Sequence, residues 1–296
     1  MFIERLAIIG VGLIGGSLAR ALRQKKACGH IIGYGRNTTH LQTAVTLGVI
    51  DDYSLTVASA VRDADVVVLA TPLNTTEPLL RAMRSYLSVD AIITDVGSSK
   101  GSVVDAARST LDDFFPRFVP GHPIAGKEKS GVEASDAGLF VSHRVILTPL
   151  PETSVQALEK ITGMWELTGA EVVHLDVEKH DEILAATSHL PHMLAYALVD
   201  CLAGMQERDE IFRFAAGGFA DFSRIASSNP QMWHDICFAN RKQLLNVLDT
   251  FNEYLNEIKA AIKNEKSDKL LEIFTRAKRT RDWFTETRNK RNDAPE

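Results

Sequence analysis

Residues 6–22 read LAIIGVGLIGGSLARAL. An aliphatic run ends in Gly10-Val11-Gly12-Leu13-Ile14-Gly15, and a helical pattern follows. A G-x-G-x-x-G carries little weight alone. After a strand and at the opening of a helix, it is the fingerprint of a dinucleotide-binding βαβ unit. The first glycine allows the tight turn, the second lets the backbone approach a pyrophosphate, and the third lets helix and strand pack closely. The helix N-terminus then offers free amides and a positive partial charge. Gly10, Gly12, Leu13, Ile14 and Gly15 are therefore the expected cofactor cradle. The stretch also looks superficially like the apolar core of a signal peptide, with Ala19-Arg20-Ala21 resembling a cleavage site. The glycine spacing, and an Arg5 offset by Glu4, argue against that reading.

Working outward, short apolar runs alternate with amphipathic stretches through the first 175 residues. The runs are 2–10, 30–35, 64–72, 91–97, 144–149 and 170–176, with helical patterns at about 14–27, 39–48, 75–87, 100–111 and 153–168 between them. Strands alternating with helices imply βαβ units and a mostly parallel sheet. Val66-Val67-Val68-Leu69-Ala70 is apolar without a break, as a strand buried on both faces should be. Beyond Asp176 the strand signals stop and every pattern is helical. The expected organisation is an α/β Rossmann-type domain over 1–175 and an all-α domain over 176–296. A helical half of this size often buries a face against a second copy, so a homodimer is expected.

Composition narrows the function classes. With 33 Lys plus Arg against 38 Asp plus Glu, the formal net charge is -5, which gives no hint of nucleic acid. The basic cluster from Arg276 to Arg291 is interleaved with acids and reads as a solvated helix face. Cys28, Cys201 and Cys237 are scattered, with neither disulfide nor metal spacing, and fit a reducing cytoplasm. His189 and His192 lack a third ligand of suitable spacing, so no metal is expected. No run approaches the roughly 20 apolar residues of a membrane span.

Ligands in open α/β sheets bind outside the carboxyl ends of the strands. At the end of the second strand stands Gly33-Tyr34-Gly35-Arg36-Asn37, without the carboxylate that would bond the ribose 2′-hydroxyl of NAD. Gly35 and Arg36 lean the choice between NAD and NADP towards NADP, since Arg36 can pair with a 2′-phosphate. Arg36 can equally cover the adenine of either cofactor. Thr71 and Pro72 end the third strand, and Ser98 follows the fourth. Ser98 is placed near a nicotinamide, although Ser98 or Ser99 could simply cap the helix expected over 100–111.

Other polar residues stand out. His122 sits between Gly121 and Pro123 in VPGHPIAGKE (119–128), a stretch with too many breakers for a helix. It is either a turn histidine on the surface or a base held rigidly at a site. Counted from Asp181 at about 100° per residue, Ser188 falls at about −20° and His192 at about +20°, while His189 lies about 80° away. Asp181, Ser188 and His192 thus form one polar stripe on an otherwise apolar helix, with Pro191 expected to kink it. Arg224 is a lone cation in GGFADFSRIA (217–226). It is either the ion-pair partner of Asp221 on one helix face or a fork for a substrate carboxylate.

Taken together and in order, GLIGGSLA (12–19), TDVGSSKG (94–101), GHPIAGKEKSGVEA (121–134), ATSHLPH (186–192), GGFADFSRIA (217–226) and SNPQMWHDI (228–236) resemble the prephenate dehydrogenase family, which includes cyclohexadienyl and arogenate dehydrogenases. The resemblance runs from about residue 5 to about residue 285. It implies a Rossmann domain, a helical dimerisation domain and NAD(P)-dependent oxidative decarboxylation of prephenate to 4-hydroxyphenylpyruvate, on the route to tyrosine. It assigns His122 to the substrate's ring hydroxyl and places Ser98 beside it. Glu128, Ser188, His192 and Gly217 match the substrate pocket, Arg224 the carboxylate site, and Asp181 a gating ion-pair partner. Trp233 matches an active-site position that either subunit of a dimer could supply. Within these 296 residues, neither the ACT nor the chorismate mutase domain of some relatives is expected. Lys127, where relatives often carry a neutral residue, is a departure whose role stays open. A β-hydroxyacid dehydrogenase would be expected to use a catalytic lysine where this chain has SHLPH. A non-catalytic NADP-binding sensor would not need His122, Ser98 and Arg224 together.

Overall fold

The computed structural model describes residues 1–127 and 129–292, with side chains to residue 287. Two compact units divide the chain, Met1–Leu244 and the part from Leu245 onward. In the first unit, strands β1 (Ile3–Ile9), β2 (Cys28–Tyr34), β3 (Asp52–Ser54), β4 (Val66–Leu69), β5 (Ile92–Asp95) and β6 (Phe118–Val119) form one sheet in the order β3-β2-β1-β4-β5-β6. All of its pairings are parallel. That order is the doubly wound Rossmann arrangement. Strands β7 (Gly121–Pro123), β8 (Arg144–Leu147) and β9 (Glu171–His174) make a second, mixed sheet. Helices α1 (Leu13–Gln24), α2 (Thr38–Thr46), α3 (Val57–Val61), α4 (Thr76–Met83), α5 (Gly101–Thr110) and α6 (Val155–Glu166) fall between the strands.

Alternation along each strand explains the unbroken apolar runs. Leu6 and Ile8 of β1, with Val66 and Val68 of β4, join a core containing Leu18, Leu22, Phe140 and Trp165. Ala7, Ile9, Val67 and Leu69 point the other way, into a core with Leu80, Met83, Val103 and Phe118. A strand with cores on both faces needs no polar side chain.

The expected α/β half is present, with β3, β6, β7 and α3 in addition. Those elements span only two to five residues, too few for periodicity to register. His122 lies on β7, opposite Ile146 in an antiparallel pair, so of the two readings open from its neighbours the surface turn is the one that does not apply. Gly121 and Pro123 fit there because the strand is short and at the sheet's edge.

After Asp176 the chain is helical: α7 (Val177–Leu184), α8 (Leu190–Ala203), α9 (Arg208–Arg213), α10 (Gly217–Ser223), α11 (Pro230–Ala239), α12 (Arg241–Lys263) and α13 (Ser267–Asn292). The second unit holds most of α12 and all of α13, where Ala261 and Ile273 are buried and Lys269 pairs with Glu257 at 3.0 Å. Among the described residues, no helix is long and apolar enough to cross a membrane.

Candidate active site

The glycine loop is built as its spacing required. Gly10 has φ +103°, and a Cβ there would stand 2.5 Å from the Ala70 carbonyl oxygen. A Cβ at Gly15 would stand 2.4 Å from the Gly10 carbonyl oxygen, so helix and strand pack as closely as glycine permits. At Gly12 a Cβ would meet nothing within 4 Å. Gly12 is also the N-cap of α1 and lends it no side-chain bond, which leaves the helix amides open to a ligand. This open cradle fits a dinucleotide pyrophosphate. Leu13 and Ile14 are half-buried against the core. Arg36 and Pro72 are exposed, and Thr71 is half-buried and accepts a bond from Thr75 Oγ1 at 2.9 Å.

Beyond β5 lies a buried polar cluster. Lys100 and Asp95 form an ion pair, with the lysine side chain wholly buried. Burial depresses the Lys100 pKa, opposed by the charge of Asp95. The pair grips one residue of β7 at both of its backbone groups: Lys100 Nζ donates to the Gly121 carbonyl at 2.7 Å, and Asp95 Oδ1 accepts from the Gly121 amide at 3.1 Å. Next in the chain is His122, half-buried. Its Nδ1 lies 2.9 Å from His180 Nε2, and His180 Nδ1 lies 2.8 Å from Asp181 Oδ1.

Asp181 completes the start of α5. Its Oδ1 accepts from the Lys100 amide and its Oδ2 from the Gly101 amide, each at 2.8 Å, and Ser99 Oγ donates to Oδ2 at 3.3 Å. The N-cap of α5 is Lys100, with no side-chain cap of its own. Neither Ser98 nor Ser99 caps this helix, because a carboxylate from α7 already occupies those amides. Ser98 is half-buried in the turn between β5 and α5. Burial works to raise the Asp181 pKa, but bonds from His180 and the two amides outweigh it and hold the carboxyl below its usual range.

The polar stripe of the helical half is rephased. Ala185–His189 forms a π turn between α7 and α8, just upstream of Pro191. A π turn holds one residue more than an α turn, so everything after it slips by about 100°. His189, expected about 80° off the stripe, thereby comes round to Asp181. Asn240 Nδ2 donates to the Asp181 carbonyl at 2.8 Å and meets His189 Nδ1 at 3.2 Å. Burial pushes the His189 pKa down to about 4. Its buried Nε2 has no partner of full hydrogen-bond geometry, although the nearby Ser98 backbone favours the charged form. Asp181, Ser188 and His192 therefore do not share one face as uniform helical spacing predicts. His192 stacks on Trp233 of the same chain, centroids 3.6 Å apart and planes at 20°. Its Nδ1 donates to the Ser188 carbonyl at 2.8 Å. Burial lowers the His192 pKa, and the nearby Arg224 charge adds to the effect.

Arg224 and Gly217 are exposed at the two ends of the α10 segment. Lys127 is paired with Asp136 at 2.8 Å. Glu128 lies outside the described residues. The structure thus brings His122, Asp181 and the Ser98 turn together, and His189, whose ring centroid lies 6.1 Å from that of Trp233, joins them to the group of His192, Trp233 and Arg224. Sequence reading missed His180, Lys100 and Asn240, and set His189 aside. The available signal was Lys100 and Asp95 flanking the carboxyl end of a strand otherwise buried on both faces.

The family model described as the prephenate dehydrogenase nucleotide-binding domain matches residues 18–174, and that of the prephenate dehydrogenase dimerization domain matches 176–276. The chain is 39% identical to cyclohexadienyl dehydrogenase of Zymomonas mobilis, over 94% of this chain and 95% of that protein. It is 37% identical to prephenate dehydrogenase of Bacillus subtilis, over 94% of this chain and 76% of that one. Prephenate dehydrogenase from Aquifex aeolicus, solved with hydroxyphenyl propionate and NAD+, superposes with a TM-score of 0.89 at 37% identity, covering 96% of this chain and 99% of that chain. Arogenate dehydrogenase from Synechocystis superposes with a TM-score of 0.80 at 27% identity, over 95% and 100% of the two chains. Two adjoining family models, full-length relatives and a shared fold lead to one statement: the chain belongs to the prephenate dehydrogenase family.

Proposed function

We propose that the protein oxidises and decarboxylates prephenate to 4-hydroxyphenylpyruvate, with residues 1–175 binding the dinucleotide and 176–296 completing the substrate pocket and the homodimer. The observation that carries this reading is His122, held by a gripped strand and joined to a buried His180–Asp181 pair. The nicotinamide of NAD or NADP, when bound, supplies the hydride acceptor. The chain's own residues handle the proton and the geometry. His122 Nε2, the ring nitrogen not engaged by His180, takes the proton of the ring hydroxyl as the hydride leaves the carbinol carbon. The bond from the opposite ring carbon to its carboxylate then breaks, and its electron pair enters the ring as CO2 departs. Nε2 returns the proton to the phenol oxygen, so no net proton is released. Aromatisation makes the sequence downhill, and the protein's task is orientation and one proton transfer. Ser98, near the same turn, can donate to the hydroxyl and accept from it. Glu128, Ser188, His192, Gly217 and Trp233 form the remaining pocket set, and Arg224 takes the side-chain carboxylate.

Cofactor choice leans to NADP on Gly35 and the exposed Arg36, since no carboxylate there repels a 2′-phosphate. The homodimer reading is supported by exposed Leu255, Ile262, Leu271, Phe274 and Trp283 on α12 and α13. An all-soluble composition with three free cysteines fits the cytoplasm. The test is formation of reduced cofactor with prephenate and with arogenate, each with NAD and with NADP. Turnover of neither substrate overturns the proposal; arogenate alone would make the enzyme an arogenate dehydrogenase, the activity named for the Synechocystis relative.

Two further outcomes are expected. The substitution Arg224→Ala removes a charge-assisted bond worth roughly 1.5–3 kcal/mol. It should raise the KM for prephenate by about 10- to 150-fold with a smaller change in kcat; an unchanged KM takes Arg224 out of the site. The second outcome concerns pH. Burial holds the His122 pKa well below its ordinary value of 6.5, and the positive fields of His180, Lys100 and His189 push the same way. The active form is the neutral ring, so activity persists as pH falls through 6.5 and is lost only below it. Because His122 and His180 are coupled, the limb belongs to the pair. An acid limb of kcat/KM centred above the ordinary histidine value would contradict this site.

A further inference from the structure

The buried row His122–His180–Asp181 has a direction. Asp181 is held as a carboxylate by two backbone amides, Ser99 Oγ and His180. An ionised carboxylate can only accept hydrogen bonds. The His180 nitrogen facing it, Nδ1 at 2.8 Å, must therefore carry the hydrogen. In a neutral ring the other nitrogen is then a bare acceptor. His180 Nε2 faces His122 Nδ1 at 2.9 Å, so His122 must donate from Nδ1. The remaining nitrogen of His122, Nε2, is left with its lone pair free.

We propose that His180 is a positioning residue that fixes the tautomer of His122 and so makes its Nε2 the proton acceptor. The inference rests on the reading of His122 as the base. Its physical content does not depend on which substrate is turned over. His180 suits the task because it is fully buried and touches no solvent that could supply a competing donor. Asp181 suits it because its position is set by α5 and not by a flexible side-chain environment. The other titratable groups facing this row are Lys100, Asp95 and His189. Lys100 and Asp95 are already paired with each other. His189 is turned towards Asn240. None of the three meets His122 Nδ1 within hydrogen-bond distance.

The experiment is a long-range ¹H–¹⁵N spectrum of protein labelled at histidine nitrogen, assigned through His122→Asn, in parallel with steady-state kinetics. Wild-type protein should show His122 protonated at Nδ1 and bare at Nε2. In His180→Leu, which removes the acceptor, the ring should move to the Nε2–H or a mixed form, and kcat should fall by about 10²-fold with little change in KM. In His180→Gln, whose amide oxygen can accept in place of Nε2, the Nδ1–H form and most of kcat should be restored. Thermal unfolding of both variants shows that they fold. A wild-type His122 protonated at Nε2 overturns the proposal, even if prephenate is turned over normally. So does an equal kcat loss in both variants with the His122 signals unmoved, which would mark His180 as packing only. An Nδ1–H ring that responds to His180→Leu in a protein inactive on prephenate and arogenate would keep this inference and remove the proposed function instead.

Discussion

The substitution His122→Asn lowers kcat by about 10²–10⁴-fold, the usual weight of a positioned general base, while the affinity for reduced cofactor stays the same. Asparagine is chosen because its amide can still donate towards His180 from near the Nδ1 position. What it removes is the far ring nitrogen, and with it the acceptor for the hydroxyl proton. The cofactor cradle at Gly10, Gly12 and Gly15 lies on the glycine loop after β1, on an element separate from β7, so binding measured by fluorescence titration should not follow kcat. A variant with normal turnover would end the assignment. The expected loss is large because His122 is not a mobile side chain that water could replace. The residue before it, Gly121, is held at its carbonyl by Lys100 and at its amide by Asp95, and a shift of about 1 Å in such a group costs on the order of 10²-fold by itself.

The second large effect is on stability. Lys100→Met should cost about 3–5 kcal/mol, since breaking a buried ion pair from one side strands the other charge. Asp95 is 2% exposed and cannot recover its hydration by turning outward. The diagnostic is the double variant Asp95→Asn with Lys100→Met, measured by denaturant unfolding beside the single one. Removing the stranded charge should return part of the loss, because an apolar or neutral replacement of a whole buried pair is often close to neutral. A double variant no more stable than Lys100→Met alone would show that the cost lies in packing or in the hydrogen bonds lost with the pair. Asparagine at 95 keeps a single oxygen, whereas the carboxylate accepts from the Gly97 amide on Oδ2 and from the Gly121 amide on Oδ1, so the stability regained is a lower bound on the cost of the stranded charge.

Much of this was legible before any coordinates. The glycine loop and the unbroken Val66–Leu69 run carry the Rossmann half, because turn sterics and two-sided burial leave direct marks on residue choice. His122 was legible as a candidate from its neighbours, but its strand was not, since β7 is three residues long and its pairing with β8 is non-local. Uniform helical spacing puts Asp181, Ser188 and His192 on one face, whereas the π turn changes the phase and turns His189 towards Asp181 instead. Pro191 announced a disturbance, yet no sequence pattern states that the chain absorbs it as a π turn upstream. His180 was invisible for a different reason: a histidine next to an aspartate on a predicted helix reads as a surface pair. Only tertiary packing shows that both are buried and that the aspartate belongs to another helix's first turn. Lys100 was hidden by the general rule that lysine faces water.

That borrowed first turn also bears on the order in which the molecule assembles. Helix α5 has no acidic residue in its first turn and no capping side chain of its own. Its leading amides at Lys100 and Gly101 are satisfied by a residue 81 and 80 positions further along. Local propensity can therefore begin α5 but cannot finish it, and closing so long a loop is slow compared with forming the helix itself. The beginning of α5 stays frayed until α7 docks, and the two events become one cooperative step. Exchange of those two amides with solvent is accordingly a clock for the arrival of α7, and the histidine row comes into existence at the same moment as the helix end that supports it.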